Sequence, residues 1–213
     1  MSAERAAHVL QAFVSPAYPT GAFAYSHGLE SAIQRGEVDD PASLERWLSD
    51  VIAHGTGRGD AILLAAAMRP DADLDALSAL AEALATSRER HVETMAQGAA
   101  FATVTAAVHG TDATPRPFPI AVGAAARVLG LAPAAVVPAI LHAFTANLLS
   151  AAQRALPLGH TAAQQRLAAL FPLIERTAAE ALCAPLDALG QASLAADLAA
   201  MHHEGLEPRI FRT

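Results

Sequence analysis

The sequence predicts an all-α protein that folds as a single globular bundle of about eight to ten helices. Alanine, the residue with the highest helix propensity and a poor strand former, supplies about a quarter of the 213 residues. Large apolar side chains recur at the three- and four-residue spacing of helices. No segment alternates apolar and polar residues with enrichment in β-branched types, so we expect no sheet.

Four helices are predicted in the first half of the chain. Each has an apolar stripe, and most begin at a residue type that caps helix N-termini. A helix over 42–54 follows Asp40 as N-cap and Pro41 as first residue, and residues 55–59 separate it from a helix over 60–68. Asp73 or Asp75 caps the next helix, which runs to residue 84, and a longer helix covers 87–109.

The second half begins after a proline-rich linker over 115–119 and continues in the same pattern. Helices are predicted over 121–129 and 136–153, and Thr161 with Gln164 forms a capping box for another. The last helix runs over 191–203 and ends at Gly205. The apolar stretch 128–152 contains two prolines and is largely alanine, which contributes little to insertion into a membrane, so we interpret it as a core helix.

Composition and charge exclude several classes of function. The formal net charge is −7, whereas a protein that binds the nucleic-acid backbone needs a basic face. The chain has no lysine, so it has neither a P-loop lysine nor a Schiff-base lysine. The single cysteine, Cys183, cannot form an internal disulfide or a cysteine-pair zinc site. The first ten residues lack the apolar core of a signal peptide, and we expect a cytoplasmic protein that binds no membrane and no cofactor.

Three short segments contain residue types that could carry chemistry. Residues 24–28 (AYSHG) resemble a serine nucleophile elbow, but an elbow needs a preceding strand, so a helix N-terminus is the better interpretation. His27 and Glu30 are three residues apart and could face one metal ion from a helical turn. Residues 202–204 (HHE) form a second polar group, which we expect to be solvated or to face a partner rather than to form a metal site.

Two segments stand out from the alanine- and leucine-rich background. The first, residues 15–30, holds both tyrosines of the chain, and the second is the C-terminal tail, residues 205–213, where Ile210 and Phe211 lie between two arginines. Aromatic residues and arginine are enriched at binding hot spots. We therefore predict that these segments bind partners, although a tail folded back on its own core remains an alternative. The predicted binding residues are Pro19, Gly21, Phe23, Tyr25, Ser26, His27, Gly28, Glu30, Arg209, Ile210, Phe211 and Arg212.

Three stretches of the chain resemble the UreF family of urease accessory proteins. Residues 13–30 (FVSPAYPTGAFAYSHGLE) are similar to its N-terminal signature. Residues 157–167 (PLGHTAAQQRL) resemble the family segment PLGQT…QR, with His160 in place of glutamine. Residues 201–213 end in HE…RIFRT, where the family ends in HE…RLFRS, so Thr213 replaces serine. The three stretches occur in the family's order and span nearly the whole chain.

The resemblance implies an all-α maturation factor that is not an enzyme. It implies a homodimer that joins UreD (also called UreH) and the GTPase UreG, in an assembly that inserts nickel into apo-urease as UreG hydrolyses GTP. It also implies that the tail docks UreD, while the region around Tyr25 at the centre of the dimer helps to present a surface to UreG.

Two other classes of function remain open from the residues alone. One is a small helical metal-dependent enzyme that uses His27 with Glu30 and the group at 202–204; the other is a helical adaptor unrelated to urease. A tightly held stoichiometric metal ion would favour the enzyme. Urease genes beside the gene for this chain would favour the UreF interpretation over the adaptor.

Overall fold

A computed structural model describes residues 1–190 and 193–213 of the chain. Within these residues the secondary structure is entirely helical, which confirms the predicted fold class. Two single-turn 3-10 helices, Ala22–Ala24 and Leu186–Ala188, accompany ten α-helices. The α-helices are α1 (Ala3–Phe13), α2 (Leu29–Gln34), α3 (Pro41–Ala53), α4 (Thr56–Ala67), α5 (Leu74–Ala83), α6 (Arg88–His109), α7 (Phe118–Val128), α8 (Pro133–Ala155), α9 (His160–Cys183) and α10 (Leu194–His203).

Local capping explains where several helices begin. Asp40 accepts a hydrogen bond from the Ser43 backbone N–H, and the Ser43 hydroxyl accepts one from the Asp40 backbone N–H, so α3 begins with a full capping box. The side-chain oxygens of Asp73 and Ser87 accept backbone N–H groups at the starts of α5 and α6 and so cap these helices. These starts agree with the sequence predictions because capping depends on residues that are close in the chain.

Five predicted helix starts differ from the structure, and two of them, α7 at Phe118 and α8 at Pro133, lie three residues before the predicted start. Helix α4 begins at Thr56, so Gly57 and Gly59, which were predicted to separate two helices, lie inside it. A Cβ atom on Gly57 would lie 2.9 Å from the Ile52 Cα, so glycine at this position permits close packing on α3. Helix α9 begins at His160, and the predicted Thr161 cap is wrong because Thr161 is already helical. Helix α10 begins at Leu194, and residues 191–192 of the predicted helix lie outside the described residues.

Helix α4 lies at the centre of the bundle, where it packs against α3, α5, α7, α8 and α9. Two main groups of buried apolar side chains surround it. One contains Phe13 and Phe101 and joins α1, α4, α6 and α7, while the other contains Leu48 and Leu148 and joins α3, α8 and α9. Helices α2 and α10 pack on each other at one end of the second group, so the segment before α2 lies close to the C-terminal tail.

Among the described helices, α8 alone is long and apolar enough to cross a membrane by length and composition. Its large side chains Leu141, Leu148 and Leu149 are buried against α3 and α9 in the second apolar group. Helix α8 therefore serves as a core helix in this fold, as its alanine and proline content predicts.

Candidate functional site

The C-terminal tail folds back on the body of the protein. Phe211 is 3% exposed and Thr213 is 1% exposed, whereas Ile210 between the two arginines is 64% exposed. The tail thus buries alternate residues and leaves the others on the surface. The structure therefore contains the folded-back arrangement that the sequence left as an alternative, together with exposed residues that remain available for contact.

Glu30 on α2 fixes the backbone of the tail. Its carboxylate is buried and accepts hydrogen bonds from the backbone N–H groups of Ile210, at 2.7 Å, and of Phe211, at 2.9 Å. A carboxylate that accepts two backbone N–H groups satisfies donors that would otherwise be buried without partners. The first predicted binding segment therefore holds the second one in place.

His203 at the end of α10 connects α2 to α6. Its Nε2 lies 3.1 Å from Glu30, its Nδ1 lies 2.7 Å from Glu89, and its side chain has no solvent exposure. The expectation that this histidine is solvated or faces a partner is wrong, because both ring nitrogens meet carboxylates inside the protein. The Arg209 guanidinium contacts the other oxygen of Glu89, so the tail joins the same network.

The last residue, Thr213, is held by the segment just before α2. The Ser26 backbone N–H donates to the Thr213 carbonyl oxygen at 2.9 Å, and the Ser26 hydroxyl donates to the same atom. The Thr213 hydroxyl donates to Glu93 at 3.0 Å and accepts the His27 backbone N–H. We call Ser26, His27, Glu30, Glu89, Glu93 and His203 the tail seat.

Glycine allows the first segment to approach α10 closely. Gly28 has a φ of +77°, which side chains disfavour, and its Cβ position would lie 2.6 Å from the Ala200 backbone nitrogen. A larger residue would push α2 away from α10 and pull Glu30 from His203. Gly21 also has a positive φ of +73°, but the space around it is open.

Two side chains of α8 hold the first segment and the tail from the other side. Asn147 donates to the carbonyl oxygen of Ala22 at 2.9 Å, and Arg154 donates to that of Phe23 at 2.6 Å. The Arg154 guanidinium also lies 4.3 Å from the centre of the Phe211 ring, in cation–π geometry. The first segment, the tail and helix α8 thus meet at one place.

The tail seat contains a buried ionic group, in which Glu93 contacts His27 and Arg90. Burial alone would raise the pKa of Glu93, but Arg90 and His27 outweigh it and lower this pKa to about 2, so Glu93 is ionised. Burial, followed by the Arg90 charge, lowers the pKa of His27, so its ring is neutral near pH 7. The 2.7 Å contact between His27 Nε2 and Glu93 is therefore a hydrogen bond from a neutral ring.

The residues singled out for chemistry are occupied by these structural contacts. The Ser26 hydroxyl bonds to Thr213, and His27 precedes the helix with a φ of 54°. His27 pairs with Glu93 while Glu30 pairs with His203, so the two do not face a common ion. Over residues 1–190 and 193–213, no group of three side chains has metal-binding geometry.

The predicted binding residues divide into buried and exposed sets. Tyr25, Ser26, His27, Gly28, Glu30 and Phe211 are buried. We call the exposed set the tail surface; it comprises Pro19, Gly21, Phe23, Arg209, Ile210 and Arg212. The Arg212 backbone N–H bonds to the Ala24 carbonyl oxygen at 2.9 Å, which joins the two parts of this surface.

Sequence reasoning missed the partners that α6 and α8 contribute. Glu89 and Glu93 lie four residues apart, on one face of α6, and face the tail. The sequence signal that could have indicated a buried polar group was their position beside Arg90 in an otherwise alanine-rich helix. Asn147 and Arg154 had a weaker signal, because a polar residue on a core helix has many possible orientations.

Comparison with known proteins identifies the family. The UreF family model matches residues 38–171, more than half of the chain. The chain is 61% identical over 201 residues to "Urease accessory protein UreF" of Cereibacter sphaeroides strain KD131, which covers 94% of this chain and 95% of that protein. A protein of the same name from Jannaschia sp. strain CCS1 is 48% identical, over 96% of this chain and 93% of its own length. Another, from Rhodopseudomonas palustris strain BisB18, is 43% identical, over 100% of this chain and 95% of its own length. The chain therefore belongs to the UreF family of urease accessory proteins.

Proposed function

We propose that this chain is a urease maturation factor that joins a UreD-type protein (UreH in some systems) to the GTPase UreG and so assists the insertion of nickel into apo-urease. It acts in the cytoplasm as a scaffold and catalyses no reaction itself. Membership of a urease accessory family supports the role in urease maturation, and the resemblance described above suggests the partners.

The observation that carries this proposal is the tail surface. Phe23 and Ile210 are 67% and 64% exposed, and their backbone groups are fixed by hydrogen bonds to Arg154 and Glu30. Exposed apolar residues on a rigid backbone lose little conformational entropy when they bind. Arg212 lies two residues after Ile210 and can pair with a carboxylate at the rim of an interface, while Arg209 on the other side of Ile210 already pairs with Glu89. In this proposal the tail surface docks the UreD-type protein.

We further propose a symmetric homodimer with the region of Tyr25 near its centre, where it helps to present a surface to UreG. Helix α8 supports this proposal, because Ala135 and Ala139 lie one turn apart on it and are not buried in the monomer. Apolar surface that a monomer leaves exposed is typical of an interaction site. Light scattering of the purified chain should give about twice 21.9 kDa. A monomer mass both alone and with partners would contradict the dimer.

The alternative of a metal-dependent enzyme loses support from the geometry. It requires His27, Glu30 and His203 to be free for a metal ion, and all three are engaged in the contacts that hold the tail. The alternative of an unrelated adaptor loses support from the family match over residues 38–171.

Co-purification with UreD-type and UreG-type proteins tests the proposal. We expect a ternary complex with both, and urease activity when the complex is incubated with apo-urease, nickel and GTP. Omission of this chain is the matched control. Equal urease activation with and without the chain, or failure to retain either partner, would contradict the proposal.

A further inference from the structure

A pocket of about 610 Å³ opens beside the first binding segment. Its volume lies within the range of roughly 300–1,000 Å³ typical of ligand sites. Pro19, Gly21 and Phe23 of the tail surface line it together with buried residues of α4, α6 and α8. We call this the central pocket. Its mouth thus adjoins the surface that we assign to a partner.

The buried part of the pocket carries an unbalanced negative charge. Arg90, Glu93, His27 and Asp60 all line it. Arg90 forms an ion pair with Glu93, and His27 is neutral because burial and the Arg90 charge lower its pKa. Glu93 stays ionised, so one guanidinium faces two carboxylates when Asp60 is also ionised.

Asp60 has no ion pair of its own within the described residues: the Arg90 charge acts on it, but Arg90 pairs with Glu93. Within the described residues it accepts no hydrogen bond and forms no ion pair, and burial raises its pKa to about 6. It lines both the central pocket and a smaller cavity of about 80 Å³ on its other side, so it remains reachable from the pocket. Arg58, Arg90 and Asp197 also line that smaller cavity, and Arg58 donates there to the Ala188 carbonyl oxygen. Asp60 is half-buried, and a charge withdrawn from water without an ion pair of its own is costly, so an incoming cation would lower that cost.

The walls of the pocket also favour a cation on an apolar stem. Phe13, Tyr18, Phe118 and Phe144 line it together with aliphatic residues of α8. Aromatic faces attract ammonium and guanidinium groups, and apolar walls take up the methylene groups of lysine and arginine. An anion in the pocket would instead be repelled by the negative charges of Glu93 and Asp60.

We propose that the central pocket receives a single lysine or arginine side chain, carried on an apolar stretch of a partner protein, with Asp60 as its counter-ion. The inference rests on the proposed function only in taking a partner to approach at the mouth formed by Pro19, Gly21 and Phe23. Neither the predicted binding residues nor the family match assigns a role to Asp60.

The test measures the binding of two capped tripeptides to the purified full-length chain by calorimetry and NMR. One is leucine-arginine-leucine, and the other has citrulline, the neutral isostere of arginine, at its centre. The arginine peptide should bind at least about tenfold more tightly at pH 7.5. Methyl resonances of Val137 and Ile140, which line the pocket, should shift with it.

Variants of the chain assign the charge preference to one residue. In Asp60→Asn the two peptides should bind within about twofold of each other. Asp71→Asn, at an exposed aspartate outside the pocket, should keep the full preference. Thermal unfolding of each variant checks that it is folded.

Three results would overturn the proposal: equal binding of the two peptides to the unaltered chain, a charge preference that persists in Asp60→Asn, or no binding of either peptide at about 10 mM. The comparison on the unaltered chain remains decisive if a variant fails to fold. Because the peptide assay contains no urease protein, its failure would leave the assembly and urease activation of the proposed function standing, and the reverse also holds.

Discussion

The carboxylate of Glu30 accepts the backbone N–H of Phe211 at 2.9 Å, across 181 positions of sequence. Both residues are buried, and the same carboxylate also accepts the Ile210 N–H and contacts His203. The shape of the C-terminal tail therefore depends on one acidic side chain near the start of the fold. The exposed residues of the tail surface derive their positions from this buried contact.

Replacement of Glu30 by glutamine should loosen the tail. The amide supplies only one acceptor oxygen, so a backbone N–H of the tail or the His203 ring loses its partner inside the protein. We expect the free energy of unfolding to fall by about 2–4 kcal/mol, measured by urea denaturation. Glu37→Gln, which breaks an exposed pair with Arg35, is the control and should change it by less than about 1 kcal/mol. Equal effects of the two substitutions would contradict the role given to Glu30.

The adjacent tail residues Phe211 and Ile210 should differ in their effect on stability, because the first is buried and the second is exposed. Phe211→Ala removes a buried ring and its contact with Arg154, and should destabilise the protein by about 3–5 kcal/mol. Ile210→Ala removes an exposed side chain and should leave stability within about 0.5 kcal/mol. Thermal unfolding of both variants measures the difference. A stable Phe211→Ala protein would mean that the tail is not fixed in solution.

The contact between α2 and α10 should depend on Gly28. Gly28→Ala places a Cβ atom 2.6 Å from the backbone of Ala200 and strains a backbone with positive φ. Gly36→Ala has nearly the same φ, +72°, but open space around it. We expect about 1 kcal/mol of destabilisation for Gly36→Ala and at least about 2 kcal/mol more for Gly28→Ala. Urea denaturation gives both values, and similar losses would show that steric contact with α10 is unimportant.

Asp60 should make the stability of the chain depend on pH. Its pKa is raised from 3.8 to about 6 by burial, with Arg90 and Glu93 as the nearby charges, so the folded state binds more protons between these values. Folding stability from this group therefore falls as pH rises from about 4 to above 6. Asp60→Asn should nearly match the native chain near pH 4 and exceed its stability by about 3 kcal/mol at pH 7.5. Chemical denaturation across this range measures the difference, and a constant difference would contradict the burial of Asp60.

Sequence reasoning predicted the helices better than the tail seat. Caps such as Asp40 and Ser87 act within four residues, so their pattern is visible in the sequence. The contacts of His203 with Glu30 and Glu89 span more than a hundred positions and depend on how α2, α6 and α10 pack together. The composition of the two segments indicated that they were unusual. It could not show that one segment holds the other.

The central claim is that the exposed residues of the tail surface bind a urease maturation partner. The most direct test is the affinity of the chain for a UreD-type protein, measured by calorimetry with the double variant Phe23→Ser and Ile210→Ser. Its control is the double variant Val108→Ser and Val128→Ser. These two residues are each 66% exposed and lie on α6 and α7, outside the tail surface. We predict at least about a hundredfold weaker binding for the first variant, with unchanged thermal stability, and unchanged binding for the second. Equal affinity of the two variants for the UreD-type protein would contradict the account.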